Sequence, residues 1–444
     1  MRTVRSSKLS LVQSMVEDFV LGRHPCERES SGTAPVDHPA VQAAAKFAEV
    51  RATGAPVPGA ATGGGTVEEC VHVAGELLLA RLERRHADAT RLEDELDFGS
   101  CDPRWLEVIA VYEEAFGHLH DGHAIPYVTY EHMDDFVLDV LPDDATIALV
   151  GDWGTGTAEA HALLDRISAH EPDVLVHLGD VYYSGTPCET QARFLDPCNT
   201  ILRHSRKVPV YTLSGNHDMY SGGHGYYGLL RLLNDQPHLQ PASFFSLRTR
   251  SGSWQLLAMD TGLHDHDPFT VTSDVTYLEP AEAAWHLDKI ERLRAAGGRT
   301  ILLSHHQLFS ASEYIGEGTA KPAGQEAYNV KLLETFGDSL KDVAAWFWGH
   351  EHNLCIYEPY GSLDKGRCIG HGAIPVYEST APYRPNPRIP HPPALVAAGG
   401  RAVELPERDG VYGHGYVILE LDGRDATARY YVDSASDPLY EETI

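Results

Sequence analysis

From about residue 145 the chain is built of short apolar runs that end in glycine and polar residues, separated by amphipathic stretches. The runs are Ala145 to Val150, Asp173 to Leu178, Pro209 to Leu213, Thr300 to Leu303 and Val343 to Trp348; Glu159 to Ile167 and Glu282 to Ala296 carry helical spacing between them. Continuous apolar runs of that length read as buried strands, and their alternation with helices reads as a layered α/β (α+β) domain. Phe244 to Met259, broken at Ser251-Gly252, and Val417 to Val432, broken at Asp422-Gly423, read as antiparallel hairpins. Parallel and antiparallel pairings are therefore both expected, in sheets covered by helices. Residues 380–409, rich in Pro, Arg and Gly, read as an irregular loop or flap.

The first part of the chain has a different texture. Val67, Cys70, Val71, Ala74, Leu78 and Leu82 recur at helical spacing, as do Trp105, Val108, Ile109, Tyr112 and Phe116. GAPVPGAATGGG, residues 54–65, reads as a flexible connector. The division expected is an N-terminal helical region, 1–123, of packing or capping use, and a chemical domain, 124–444. His118, His120 and His123 fall at the junction and read as a polar connector.

Charge narrows the class. Lys plus Arg number 35 against 64 Asp plus Glu, a formal charge of −29. Such a surface repels phosphate backbones and anionic lipid, which argues against a nucleic-acid partner and against a membrane-surface protein. A site that handles phosphate must supply its own positive charge. No stretch of about 18 uninterrupted apolar residues is present, and the charged, interrupted N-terminus reads as an amphipathic helix and not as a signal peptide. The seven cysteines are scattered without CxxC pairs and read as mostly reduced thiols, hence a cytoplasmic location. Composition leaves the oligomeric state open.

Chemistry gathers where the apolar runs end. After Val150 comes Gly151-Asp152-Trp153-Gly154; after Leu178, Gly179-Asp180-Val181-Tyr182-Tyr183; after Leu213 and Ser214, Gly215-Asn216-His217-Asp218. The fourth run leads into Ser304-His305-His306 and the fifth into Gly349-His350-Glu351-His352. Loops at the carboxyl ends of strands converge on one crevice, so the five clusters describe a single site. Carboxylate, phenolate, amide oxygen and imidazole suit Fe, Mn or Zn. One aspartate can bridge two ions, and two ions about 3.5 to 4 Å apart can share a hydroxide and clamp an in-line phosphoryl displacement.

These five ordered blocks resemble the calcineurin-like metallophosphoesterase superfamily, and more narrowly its purple acid phosphatase branch. The first block, Asp152-Trp153-Gly154, lacks the histidine of the superfamily's usual Asp-x-His, and Tyr183, three residues after Asp180, stands where that branch places a tyrosine. The block Gly349 to Asn353 also resembles the low-molecular-weight form. The resemblance covers roughly residues 145–355 and implies a β-sandwich flanked by helices. It implies that Asp152, Tyr183 and His352 hold a first metal, Fe(III), that Asp180 bridges, and that Asn216, His305 and His350 complete a second site holding Fe, Zn or Mn(II). Asp152, Asp180 and a Tyr183 phenolate contribute −3, so a trivalent and a divalent ion leave +2, and an acidic chain acquires a local positive centre.

The activity implied is hydrolysis of phosphate esters with metal-bound hydroxide as nucleophile, and the leading expectation is a phosphomonoesterase acting on a small phosphorylated metabolite. His217 is placed to protonate the leaving alkoxide, and Asp218 to orient it. His224, His306 and His371 are candidate substrate contacts. Where the family commonly carries a further substrate histidine, this chain has Ser310 to Tyr314, so Glu313 or Tyr314 is expected to change selectivity. His264-Asp265-His266-Asp267 reads as a solvated loop, because adjacent residues rarely converge on one ion, and Trp153 as packing beside the site. The alternatives are a phosphodiesterase acting on a cyclic nucleotide or nucleic acid and, in another class, a metal-binding regulatory protein without turnover.

Overall fold

The computed structural model describes residues 105–117 and 124–444, apart from 269, 272–274 and 409. The expected helix at Val67 to Leu82, the N-terminal helix, the connector at 54–65 and the histidines at 118, 120 and 123 lie outside the described residues. Two sheets face each other. One has six strands in the order β17-β16-β15-β2-β3-β4: β2 (Thr146–Val150), β3 (Val174–His177), β4 (Val210–Thr212), β15 (Gly415–Asp422), β16 (Asp425–Val432) and β17 (Tyr440–Thr443). The other has seven, ordered β1-β5-β6-β7-β8-β10-β9: β1 (Val137–Leu141), β5 (Phe245–Thr249), β6 (Trp254–Ala258), β7 (Arg299–Ser304), β8 (Val343–Trp348), β9 (Leu354–Ile356) and β10 (Gly366–Ile369). Segment 380–409 is irregular apart from the strand pairs β11 (Ala397–Ala398) with β12 (Arg401–Ala402), and β13 (Glu407–Arg408) with β14 (Val411–Tyr412) at its end.

All five apolar runs are strands, and both expected hairpins form, β5 with β6 and β15 with β16. Parallel pairing joins β2, β3 and β4 in one sheet and β6, β7 and β8 in the other, so the carboxyl ends of each trio lie along one edge.

Side chains alternate across each strand and so build three apolar layers. Ile147, Leu149, Val174, Val176, Val417 and Leu419 meet Leu247, Leu256, Ile301, Leu303, Ala345 and Phe347 between the sheets. Their neighbours Ala148, Val150, Leu175 and Val210 face outward onto α2 (Ala158–Ala169) through Leu163, Leu164 and Ile167. On the far side Leu257, Leu302, Trp346 and Trp348 pack against Trp285 and Ile290 of α6 (Pro280–Ala295) and Leu332 and Phe336 of α7 (Val330–Phe336). The result is a β-sandwich with helices on both outer faces.

Among the described cysteines Cys198, Cys355 and Cys368 are free and buried, but Cys188 is disulfide-bonded. The expectation of reduced thiols fails at Cys188, which removes the cysteine argument for a cytoplasmic location. No described helix is long and apolar enough to cross a membrane.

Candidate metal centre

Loops leaving β2, β3 and β4 of one sheet meet loops leaving β7 and β8 of the other. The approach is close enough to require glycine: a Cβ on Gly179 would lie 2.8 Å from His305 Nδ1, and one on Gly349 2.6 Å from Asp152 Oδ2. Asp152, Asp180 and His350 adopt left-handed backbone with φ of 54°, 75° and 66°. Such conformations cost of order 1–3 kcal/mol each in non-glycine residues and concentrate at functional sites.

One group of donor atoms forms around Asn216. His305 Nε2 and His350 Nδ1 each lie 3.1 Å from Asn216 Oδ1 and 3.2 Å from each other. His305 Nδ1 donates to the Leu178 carbonyl at 3.0 Å, which leaves a lone pair on Nε2. Asn216 Nδ2 donates to the Tyr220 hydroxyl at 2.6 Å, which leaves the amide oxygen facing the same point. Burial pushes both imidazoles, His305 and His350, toward the neutral form. The His305 Nε2 lone pair and the Asn216 oxygen thus converge with His350 Nδ1 on one buried point, an arrangement that suits a cation.

A second group forms around Asp152. Tyr182 Oη lies 3.0 Å from Asp152 Oδ1 and 2.9 Å from His352 Nε2, and His352 Nε2 is 3.4 Å from the same Asp152 oxygen. The other oxygen, Oδ2, accepts the His350 backbone N–H at 2.9 Å. Asp180 lies between the two groups, with Oδ1 3.5 Å from His305 Nε2 and accepting the His217 N–H at 3.1 Å. Oxygens of Asp152 and Asp180 and a nitrogen of His305 lie within 4.8 Å of one another.

The tyrosine of this second group is Tyr182, where the sequence resemblance pointed to Tyr183. Tyr183 turns its ring under the Arg193 guanidinium, 5.1 Å from its centroid. Its N–H donates to Glu189 Oε1 at 2.5 Å, from the capping box of α3 (Pro187–Thr190). The two tyrosines stand in a turn after β3 and make different contacts, and two tyrosines in a row carry no pattern that says which one reaches the crevice. Burial, with Asp152 and Asp180 adding to it, pushes the Tyr182 phenol far up. Opposing cationic charge is what allows such a phenol to ionise.

His217 and Asp218 follow Asn216 in the short helix α4 (Asn216–Met219). His217 donates from Nδ1 to the Tyr183 carbonyl at 2.7 Å, which leaves Nε2 toward Asp180 Oδ2, 3.9 Å away. Its ring lies between Tyr182 and Tyr220, with centroids 4.5 and 4.8 Å distant. A backbone carbonyl therefore orients His217, and the orienting role expected of Asp218 is corrected. Asp218 accepts N–H groups from Asp180 at 2.9 Å, Gly215 at 2.8 Å and Val181 at 3.3 Å, tying two ligand loops together.

The three expected substrate contacts part company. His306 lines a small cleft beside His350, together with Asp265, Gln307, Glu313 and Asn329. Both its nitrogens are engaged, Nε2 with Asp265 Oδ2 at 2.9 Å and Nδ1 with Thr261 Oγ1 at 3.1 Å. His224 opens α5 (His224–Leu233) as an exposed residue and is not among the cleft-lining residues. His371 is only 1% exposed, set so close to β15 that a Cβ on Gly415 would lie 2.7 Å from its Nε2, and it is not among the cleft-lining residues. The reading of 264–267 as a solvated loop is corrected at Asp265, which is buried and holds His306. Trp153 is fully buried and donates to the Ala160 carbonyl at 2.7 Å, a packing contact. Glu351 leaves the crevice between His350 and His352 and accepts from Ser310.

Comparison with known proteins places this arrangement. The sequence signature of the calcineurin-like phosphoesterase family matches residues 145–354. The chain carries a calcineurin-like phosphoesterase domain. The match begins at β2 and ends at the start of β9, so it encloses every residue of both donor groups. Human tartrate-resistant acid phosphatase type 5 is 26% identical over 247 residues, which is 49% of this chain and 71% of that protein. Among solved structures, GAP50 of Plasmodium has a TM-score of 0.42 at 13% identity, over 68% of this chain and 88% of that one. A dimetal phosphatase from Danio rerio has 0.41 at 12%, over 68% and 98%. The family implies divalent metal ions and metal-dependent hydrolysis of phosphate esters.

Proposed function

We propose that the phosphoesterase domain hydrolyses small phosphate monoesters at a two-metal centre. The observation that carries this reading is the pair of donor groups on either side of Asp180 in one buried crevice. Asp152, Tyr182 and His352 would hold the first ion, Fe(III) in this reading because a phenolate and two carboxylates favour the higher charge. Asn216, His305 and His350 would hold a second, divalent one, with Asp180 between them. Ions bound there supply Lewis-acid stabilisation of the phosphoryl oxygens and activation of the attacking water.

The protein's own groups do the rest. Asp218 and the Tyr183 carbonyl fix the loops from which Asp180 and His217 project. With Nδ1–H committed to that carbonyl, only Nε2 of His217 can carry the transferable proton. Burial lowers its affinity for that proton and Asp180 opposes the effect, so a protonated His217 gives it readily to a leaving alkoxide. The acidic surface of a chain of −29 disfavours extended polyanions and leaves compact esters as the substrate class. Residues 1–123 are assigned a capping role in this proposal, supported by Val108 of α1 (Trp105–Phe116), which packs on Tyr182, Tyr183 and Tyr220.

Phosphate release from an aryl monophosphate and an aryl phosphodiester, on protein of known metal content, tests the reading. Preference for the monoester is expected. Preference for the diester would replace the substrate class, and release from neither by metal-loaded protein would leave a binding protein.

A further inference from the structure

We infer that Tyr220 is a positioning residue for the second metal, because its hydroxyl decides which end of the Asn216 amide faces His305 and His350. The inference rests on the two-metal reading and adds to it a residue outside both donor groups. The two ends of a carboxamide are nearly identical in shape, and only the oxygen can ligate a cation; hydrogen bonding settles which end points where. Asn216 is 2% exposed, so its NH₂ group must find a protein acceptor. The Tyr220 oxygen, one helical turn on, accepts from Nδ2 at 2.6 Å. That bond directs Oδ1 to the point 3.1 Å from both imidazole nitrogens.

The tyrosine is itself held firmly. It is fully buried, packs with Val108, Tyr182, Tyr183 and Ile374, and meets the His217 ring at 4.8 Å and 62°. An acceptor fixed in this way acts on the ligand as the outer partners of metal-bound histidines do, whose loss typically weakens metal binding about 10- to 100-fold. Without the hydroxyl, the buried NH₂ loses its partner, and turning it toward the His305 Nε2 lone pair swings the oxygen away from the metal position.

The test is calorimetric titration of metal-free, full-length protein with Zn(II), for the wild type, Tyr220→Phe, Asn216→Asp and the double variant, with thermal unfolding of each metal-free protein as a control for folding. Tyr220→Phe should weaken the second binding event roughly 10- to 100-fold while the first is unchanged. Asn216→Asp presents oxygen at both ends, so adding Tyr220→Phe to it should have a much smaller effect. Equal weakening of both events, no weakening, or the same loss in the Asn216→Asp background would overturn the role. Tyr220→Met, also lacking the hydroxyl, replaces the phenylalanine variant if that protein does not fold. A wild type that binds fewer than two ions would instead bring down the two-metal reading, and the inference with it.

Discussion

The two sheets contribute unlike chemistry to one crevice. Strands β2, β3 and β4 of the six-stranded sheet end in oxygen donors, Asp152, Asp180, Tyr182 and Asn216, whereas β7 and β8 of the seven-stranded sheet end in the imidazoles of His305, His350 and His352. Neither sheet alone assembles either donor group. The contacts between them are specific: His305 Nδ1 donates to the Leu178 carbonyl, and His350 N–H to Asp152 Oδ2. The apolar layer between the sheets therefore sets the distances between the donor atoms.

Breaking the contrast at its junction has the largest effect. Asp180→Ala removes the oxygen donor placed between the two groups; both ions should be lost, and turnover should fall at least about a thousandfold, some 4 kcal/mol of transition-state stabilisation. Metal content and initial rates measured together check this, and retention of two ions would show that Asp180 does not bridge. His217→Ala leaves both donor groups intact, so metal content should hold while turnover drops about 10²- to 10⁴-fold. Loss of metal along with activity would move His217 into the ligand set.

The tyrosines sharpen the oxygen side. In protein loaded with Fe(III), Tyr182→Phe should abolish any visible phenolate-to-iron absorption and Tyr183→Phe should preserve it. The reverse outcome would return the role to Tyr183.

The smallest expected effect lies on the cleft wall. Burial, reinforced by Asp265, raises the Glu313 carboxyl from 4.5 to about 7. A folded-state pKa above the unfolded value means the folded protein holds the proton more tightly, so this residue's contribution to stability is complete below about 4.5 and is lost as pH rises to about 7. Glu313→Gln should flatten that part of the profile of unfolding temperature against pH. An unchanged slope across the window would show that Glu313 is solvated and ordinary.

The strands, both hairpins and the sandwich architecture were legible because buried strands need apolar runs and glycine marks their ends. Most of the donor blocks were legible for a related reason, since Asp152, Asp180, Asn216 and His350 each directly follow a strand-end glycine, whereas His305 follows Ser304 at the end of its strand. What stayed hidden depends on side-chain direction. Tyr182 and Tyr183 are equivalent until the backbone decides which one faces inward. Asp218 sits next to His217 in sequence yet binds three N–H groups instead. Asp265 looked solvated within a polar run, and its burial comes from His306, 41 residues away. His371 follows the fifth block as a candidate substrate contact, but it is buried against strand β15.

Anomalous diffraction from crystals of the metal-loaded protein tests the central claim most directly. Two peaks about 3.5 to 4 Å apart are expected, one among Asp152, Tyr182 and His352 and the other among Asn216, His305 and His350, with Asp180 touching both. A single peak, or two peaks that Asp180 does not join, would contradict a shared centre built by the two sheets.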